Sequence, residues 1–251
     1  RCDFMSDQRV RIGFVGAGRN TQAKHIPGFK AIPGVELVSV ANRSRASSEK
    51  VAREFGIPRV VDSWQELVKS DDIDAVCIGT WPYMHCAVTL AALEAGKHVL
   101  TEARMAMNVA EARAMLAASR KHARLVAQVV PAPATLEVDG TVQALLTSGY
   151  LGKLLAVELY VLQGFADPRA PLHWRQDKTL SGHNILAMGI WVECLQRWLG
   201  QPARVMASGL TSVTERPDAA GQLKPVTMPD HVDVLATYRD GAIAHLRFSA
   251  V

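Results

Sequence analysis

The run Val10-Arg11-Ile12-Gly13-Phe14-Val15-Gly16-Ala17-Gly18-Arg19-Asn20-Thr21 decides the reading of this chain. Val10–Val15 is an apolar stretch of strand length, and Thr21–Lys30 has helical character that Pro27 interrupts or ends. Between them lies a Gly-x-Gly pair. Gly16 permits a tight turn, and Gly18 lets the backbone approach a pyrophosphate, which then rests on the N-terminus of the following helix. Thr21 stands where the full fingerprint has a third glycine. Alone, Gly-x-Gly is weak; between a strand and a helix it points to a dinucleotide-binding turn. Arg19 and Asn20 open that helix and join Gly16 and Gly18 as candidate cofactor-binding residues.

Working outward, Val35–Ala41 reads as a second strand ending on Asn42-Arg43-Ser44. An NAD site usually carries a carboxylate at this strand end for the ribose 2′-OH. Here Asn42 takes that place, while Arg43 offers a charged fork and Ser44 a hydroxyl, both suited to a 2′-phosphate. The reading favours NADP(H), with NAD(H) the alternative. Ser44 also suits the cap of the next helix, Arg45–Phe55, which Gly56-Ile57-Pro58 ends.

Strands and helices keep alternating. Arg59–Val61, Asp74–Gly79, His98–Leu100 and Leu125–Val130 read as strands. Ser63–Lys69, Met84–Ala95 and Asn108–His122 read as helices, with Ser63 and Asn108 as caps and Gly96 as a stop. Alternation of this kind implies βαβ units and a parallel sheet covered on both faces. The rhythm breaks at Pro131-Ala132-Pro133. A helix over Val138–Thr147 follows, and then long alternating segments at Leu154–Leu162, Ala203–Thr211, Val232–Arg239 and Ala242–Ser249. Asp240-Gly241 joins the last two as a hairpin. One helix, Asn184–Leu199, interrupts them and stops at Gly200, and Val213–Met228 reads as a polar, mobile loop. The expected architecture is α/β: a Rossmann domain over residues 1–130, then an α+β domain over 131–251 with an open, mostly antiparallel sheet.

The bulk numbers fit such a chain. Its 251 residues suit one large or two ordinary domains, and 49% apolar with 21% charged residues is usual for a soluble globular protein. The net charge of +4 comes from scattered Lys and Arg, so neither nucleic-acid nor membrane-surface binding is read from it. No stretch is apolar enough for a membrane span and no secretory signal is seen, so a cytoplasmic location is expected. The four cysteines, Cys2, Cys77, Cys86 and Cys194, form no C-x-x-C pair, which fits thiols in a reducing compartment. No metal constellation is read: His173, His183 and Cys194 lack ligand spacing. Met5-Ser6 reads as the natural start, with Arg1–Phe4 a remnant ahead of it.

Taken in order, these motifs resemble the Gfo/Idh/MocA family of nicotinamide-dependent oxidoreductases. Beyond the glycine loop and Asn42-Arg43-Ser44, the stretches Asp74-Ala75-Val76-Cys77-Ile78-Gly79-Thr80, Trp81-Pro82-Tyr83-Met84-His85 and Ala91-Ala92-Leu93-Glu94-Ala95-Gly96-Lys97-His98-Val99-Leu100 carry the likeness. The resemblance implies that Thr80, Trp81 and His85 flank the nicotinamide half of a cofactor. Glu102 is the first residue of what is usually Glu-Lys-Pro. It further implies a second domain whose open sheet makes homo-oligomer contacts. The chain stops at Val251 inside that expected sheet, as a short variant or a partial chain would.

The likeness fails where proton chemistry belongs. Glu102-Ala103-Arg104 has alanine at the lysine's place, and the family's helical Asp and His match Ala187 and Trp191. Hydride transfer from an alcohol needs a base for the hydroxyl proton, and none of the three can be one. Arg104 stays protonated, but could hold an anionic substrate or stabilise an oxyanion. His183 is the acid/base candidate. Asn184 is expected on one helix face with Ala187 and Trp191. His173-Trp174-Arg175 could line a cleft or pack as an ordinary loop, and Glu193 is expected to face solvent. Two functions follow. One is an oxidoreductase acting on a sugar, polyol or related carbonyl compound as small-molecule substrate. The other is a non-catalytic dinucleotide-binding sensor or partner subunit.

Overall fold

The computed structural model describes residues 9–131, 133–164 and 167–251. The expected start at Met5, the remnant before it and Cys2 lie outside the described residues. The chain divides into two compact units, Arg1–Val130 and Pro131–Val251.

The first unit opens with β1 (Val10–Val15), followed by a π turn over Thr21–His25 that runs into α1 (Ile26–Lys30). Then come β2 (Val35–Ala41), α2 (Arg45–Phe55), β3 (Arg59–Val60), α3 (Trp64–Lys69) and β4 (Ala75–Ile78). α4 (Pro82–Glu94), β5 (His98–Thr101), α5 (Val109–Lys121) and β6 (Ala127–Val129) complete it. The six strands form one parallel sheet in the order β3-β2-β1-β4-β5-β6. Successive side chains alternate between two cores. Val15, Val76, Ile78 and Val99 pack with Leu67 of α3 and Val88 and Leu93 of α4. Phe14, Val40 and Cys77 pack on the other face with Ile26 of α1 and Val51 of α2. Gly13 belongs to the first face, where a Cβ would stand 2.8 Å from Leu67 Cδ2.

The caps form where the sequence puts them. Ser44, Ser63 and Asn108 accept the backbone N–H of Ser47, Glu66 and Glu111 at 3.3, 3.1 and 3.0 Å. Pro27, by contrast, neither interrupts nor ends its helix. It falls in the first turn of α1, where a missing N–H costs nothing, and the Ile26 N–H reaches back five residues to the Thr21 carbonyl.

The second unit begins with α6 (Pro133–Thr147) and β7 (Ala156–Leu162), then a 3₁₀ turn at Trp174–Gln176, α7 (Lys178–Ser181) and α8 (Met188–Leu199). β8 (Arg204–Leu210), β9 (Glu215–Pro217), β10 (Leu223–Pro225), β11 (His231–Thr237) and β12 (Ile243–Ser249) follow. The sheet runs β7-β12-β11-β8; β7 and β12 are parallel and the other pairs antiparallel. Asp240-Gly241 turns the last hairpin, with the Tyr238 N–H donating to the Ala242 carbonyl at 2.9 Å and Gly241 at φ 92°. Leu195 of α8 packs with Ala236, Leu246 and Phe248 on one face. On the opposite face Tyr160, Leu162, Met206 and Leu210 are exposed.

Three expectations change here. α6 begins at Pro133 rather than Val138, because proline suits the first turn of a helix. The long helix begins at Met188 rather than Asn184: Gly182 at φ 70° ends α7, and Leu186 at φ 44° anchors a turn before the next helix. Val213–Met228 is not a plain loop, since β9 and β10 pair antiparallel within it. Arg216 of β9 is fully buried and donates to the carbonyls of Asp167 (2.5 Å) and Ala170 (3.2 Å).

Asp230 ties this hairpin to the sheet. Its buried carboxylate accepts from the N–H groups of Ser212 and Val213 and from the Ser212 hydroxyl, at 2.8–2.9 Å. Burial pushes the carboxyl pKa up, but these donors outweigh it and leave it below the ordinary value. With the folded pKa depressed, the contribution is present above the unfolded carboxyl's pKa and is lost as pH falls through the folded one. Asp230→Ala is expected to cost about 3 kcal/mol in urea unfolding at neutral pH, with the deficit shrinking in acid. An unchanged midpoint would contradict this.

Candidate functional site: the groove at the glycine loop

The carboxyl ends of β1, β2 and β4 meet where a parallel sheet usually binds ligands, and a groove of about 240 Å³ lies there. Gly16, Ala17, Gly18, Asn42, Arg43, Ser47, Gly79, Thr80, Trp81 and Tyr83 line it. Gly16 sits at φ +80°, and a Cβ on it would stand 2.8 Å from the Thr80 N and 2.5 Å from Thr80 Cγ2. The glycine is therefore required twice, for conformation and for room. The N–H groups of Arg19 and Asn20 have no backbone partner among the described residues, as a helix N-terminus open to an anion requires. Thr80 Oγ1 is buried and without a hydrogen-bond partner among the described residues.

Gly79 was not singled out from the sequence. A Cβ there would fall 1.9 Å from Thr21 Oγ1 and 2.5 Å from the Gly16 carbonyl oxygen. The fully buried Thr21 thus occupies the place of the fingerprint's third glycine, and Gly79 provides the space it needs.

At the end of β2, Asn42 holds the loop. Its Oδ1 accepts the Ala17 N–H at 2.7 Å, and its Nδ2 donates to Ser47 Oγ at 3.0 Å. Arg43 is exposed at the groove and makes no hydrogen bond or ion pair among the described residues. Ser44 is engaged as the cap of α2, and Ser47 is the hydroxyl that lines the groove.

Behind the loop, Glu102 collects two donors. Asn20 Nδ2 donates to its Oε1, and His25 Nε2 lies 2.5 Å from the same oxygen. Burial raises the Glu102 pKa, and the His25 and Asn20 bonds more than offset it, so the carboxyl titrates below its ordinary value. Asn20 and Glu102, named separately from sequence, are one cluster. His25 is its unforeseen third member, one side chain among many on a helix until Glu102 is folded against it.

His85 lies within α4 with about 1% of its surface exposed, away from the groove lining. Its Nδ1 is 2.8 Å from the Arg104 carbonyl and its Nε2 3.0 Å from the Thr80 carbonyl. Burial lowers its pKa, while the carbonyls and Glu102 act the other way. The Ala103–Arg104 peptide is cis.

In the second unit His183 is exposed, as is Glu193. Asn184 precedes the helix instead of sharing a face with Ala187 and Trp191. Its Nδ2 donates to the Ser181 carbonyl at 2.5 Å, which the turn before α8 makes possible. Ala187 is the first-turn cap position of α8 and offers no side-chain acceptor there. His173 caps the 3₁₀ turn, its Nδ1 accepting the Arg175 N–H at 3.2 Å, and the Arg175 guanidinium stacks 4.2 Å over Trp174. Burial, and then the Arg175 charge, lowers the His173 pKa.

A family model described as an oxidoreductase family with an NAD-binding Rossmann fold matches residues 10–129, and the GFO/IDH/MocA C-terminal domain matches 140–251. The chain belongs to the Gfo/Idh/MocA family. It is 28% identical over 261 aligned positions to the levoglucosan dehydrogenase of Pseudarthrobacter phenanthrenivorans, covering 94% of this chain and 66% of that relative. Among solved structures, an oxidoreductase domain protein from Kribbella flavida superposes with a TM-score of 0.87 at 30% identity, over 97% of this chain and 68% of that one. A levoglucosan dehydrogenase in complex with NADH and L-sorbose gives a TM-score of 0.85 at 25% identity, over 96% and 67%. This Gfo/Idh/MocA chain thus spans about two thirds of the length of the relatives it matches. Among its described residues, no helix is long and apolar enough to cross a membrane.

Proposed function

We propose that this Gfo/Idh/MocA chain binds NADP(H) in preference to NAD(H) and acts as an oxidoreductase on a sugar, polyol or related carbonyl compound. The observation that carries the cofactor choice is the groove's ribose end. A neutral Asn42, with both amide atoms engaged, stands beside the Ser47 hydroxyl and the exposed Arg43, which has no ion-pair partner among the described residues. A 2′-phosphate would find a guanidinium and a hydroxyl there and no carboxylate to repel it. Gly16, Gly18 and the open N–H groups of Arg19 and Asn20 suit the pyrophosphate. Thr80 and Trp81 also line the groove. A bound nicotinamide supplies hydride transfer. The substrate class rests on the sugar chemistry named for the relatives.

Within the chain, Arg104 is proposed to hold an anionic or developing oxyanion oxygen, His183 to move the proton, and Asn184, anchored on Ser181, to orient substrate. His183→Ala and Arg104→Ala are expected to lower turnover. The three thiols Cys77, Cys86 and Cys194 are free and suit a cytoplasmic setting. A second copy of the chain is proposed to cover the sheet face bearing Tyr160, Leu162, Met206 and Leu210.

Alanine at 103 and 187 and tryptophan at 191 favour a second reading, a dinucleotide-binding sensor or partner subunit without turnover. Calorimetric titration with NADPH and NADH tests the common part. Tighter NADPH binding is expected; equal or tighter NADH binding would overturn the cofactor choice. Steady NADPH oxidation with some carbonyl substrate separates the enzyme from the sensor.

A further inference from the structure

We propose that His85 is a positioning residue for the dinucleotide groove, fixing the wall at Thr80 to the backbone at Arg104. The imidazole is buried between two carbonyl oxygens, 3.0 Å from that of Thr80 and 2.8 Å from that of Arg104. It therefore joins the loop after β4 to the loop after β5, beyond the last paired residues Ile78 and Thr101. Thr80 is the residue against which the glycine loop is seated, its backbone N 2.8 Å from where a Gly16 Cβ would be. Contacts thus run from Gly16 to Thr80, through His85, to Arg104. His85 lines no part of the groove, so it acts through Thr80 and Arg104 and not on the ligand itself.

The loop after β5 leans on this contact. Ala103 and Arg104 stand where the family commonly has lysine and proline, so no pyrrolidine ring restrains the backbone at 104. A neutral imidazole carries one ring N–H, so without His85 one of these two buried carbonyls would lose its donor and both would lose the ring that holds them together, and moving toward water would relieve them at the expense of the groove wall.

The inference rests on the dinucleotide reading, and the test separates the two. NADPH and NADH affinities are measured by calorimetry for the wild type, His85→Phe, His85→Gln and Val88→Ala, together with Tm. His85→Phe keeps a ring but removes both ring nitrogens and with them the one N–H donor. It is expected to raise Kd roughly tenfold, the equivalent of about one lost hydrogen bond. His85→Gln restores an N–H donor and should recover most of that loss. Val88 is buried in the same helix, so Val88→Ala should lower Tm with Kd unchanged. If His85→Phe does not fold, His85→Asn, too short to reach both carbonyls, takes its place against His85→Gln. Wild-type affinity in His85→Phe, or a Kd loss in Val88→Ala matching its own, would overturn the positioning role alone. A wild type that binds neither dinucleotide would overturn the cofactor reading as well.

Discussion

Gly79→Ala is expected to weaken dinucleotide binding by about ten- to hundredfold and to destabilise the protein. The added methyl would overlap Thr21 Oγ1 at 1.9 Å and press on the Gly16 carbonyl at 2.5 Å. Thr21 is β-branched and buried, so its hydroxyl has little freedom to swing aside. The Gly16 oxygen is backbone and can move only with the loop. Overpacking of this kind costs about 1–3 kcal/mol. Misaligning one N–H aimed at a pyrophosphate costs roughly 1.5–3 kcal/mol in binding, a factor of about ten to a hundred in Kd. Thr21→Gly in the same chain removes the first clash and leaves the second, so the double variant should recover part of the stability. Thermal unfolding and calorimetric titration read the two effects separately. Wild-type affinity in Gly79→Ala would mean that the loop does not carry the pyrophosphate.

Asn42→Asp is expected to exchange cofactor preference while leaving the fold intact. The two side chains have the same shape. An aspartate Oδ1 keeps the Ala17 N–H bond, and its second oxygen can accept from the Ser47 hydroxyl that Asn42 Nδ2 now donates to. The change is one negative charge beside the groove. That charge accepts a ribose 2′-OH and repels a 2′-phosphate, and partly neutralises Arg43. At the effective dielectric of a protein surface the repulsion is worth about 1–3 kcal/mol, so the NADPH-to-NADH affinity ratio should fall at least about tenfold. Arg43→Ala should move the ratio the same way without gaining NADH affinity. A ratio unmoved in both would remove the physical basis for an NADP(H) preference.

What was legible in the sequence is what local chemistry decides. The strand before Gly16, the caps at Ser44, Ser63 and Asn108, and the Asp240-Gly241 turn each follow from residue types within a few positions. The partners of those residues were not legible. Gly79 owes its role to Thr21, 58 positions away on the other side of the loop. His25 acquires a carboxylate only when β5 lies next but one to β1. His85, taken from resemblance as a neighbour of the cofactor, has its ring nitrogens committed to main-chain oxygens. The start of α8 failed for another reason: Asn184-Ile185-Leu186-Ala187 has helical spacing of apolar residues, and only the positive φ at Leu186 shows that burial of this side chain overrode it. Pro217 and Pro225 lie in the stretch read as a polar loop, yet both sit in the short β9–β10 ribbon, the kind of edge pairing that tolerates proline.

The π turn at Thr21–His25 makes the length of this segment matter as much as its composition. Asn20 and His25 are five positions apart, and in an ordinary α-helix such residues point about 140° away from each other. A turn closed by bonds to the fifth residue is wider and narrows that angle, so one carboxylate, Glu102, can take a donor from each. Removing one residue between them would restore the common helical pitch and leave the two four positions apart, on one face of an α-helix, so the wide turn is what absorbs the extra residue. The π turn therefore lets this segment carry one residue more than an α-helix would, while both of its ends still meet the carboxylate that follows the fifth strand.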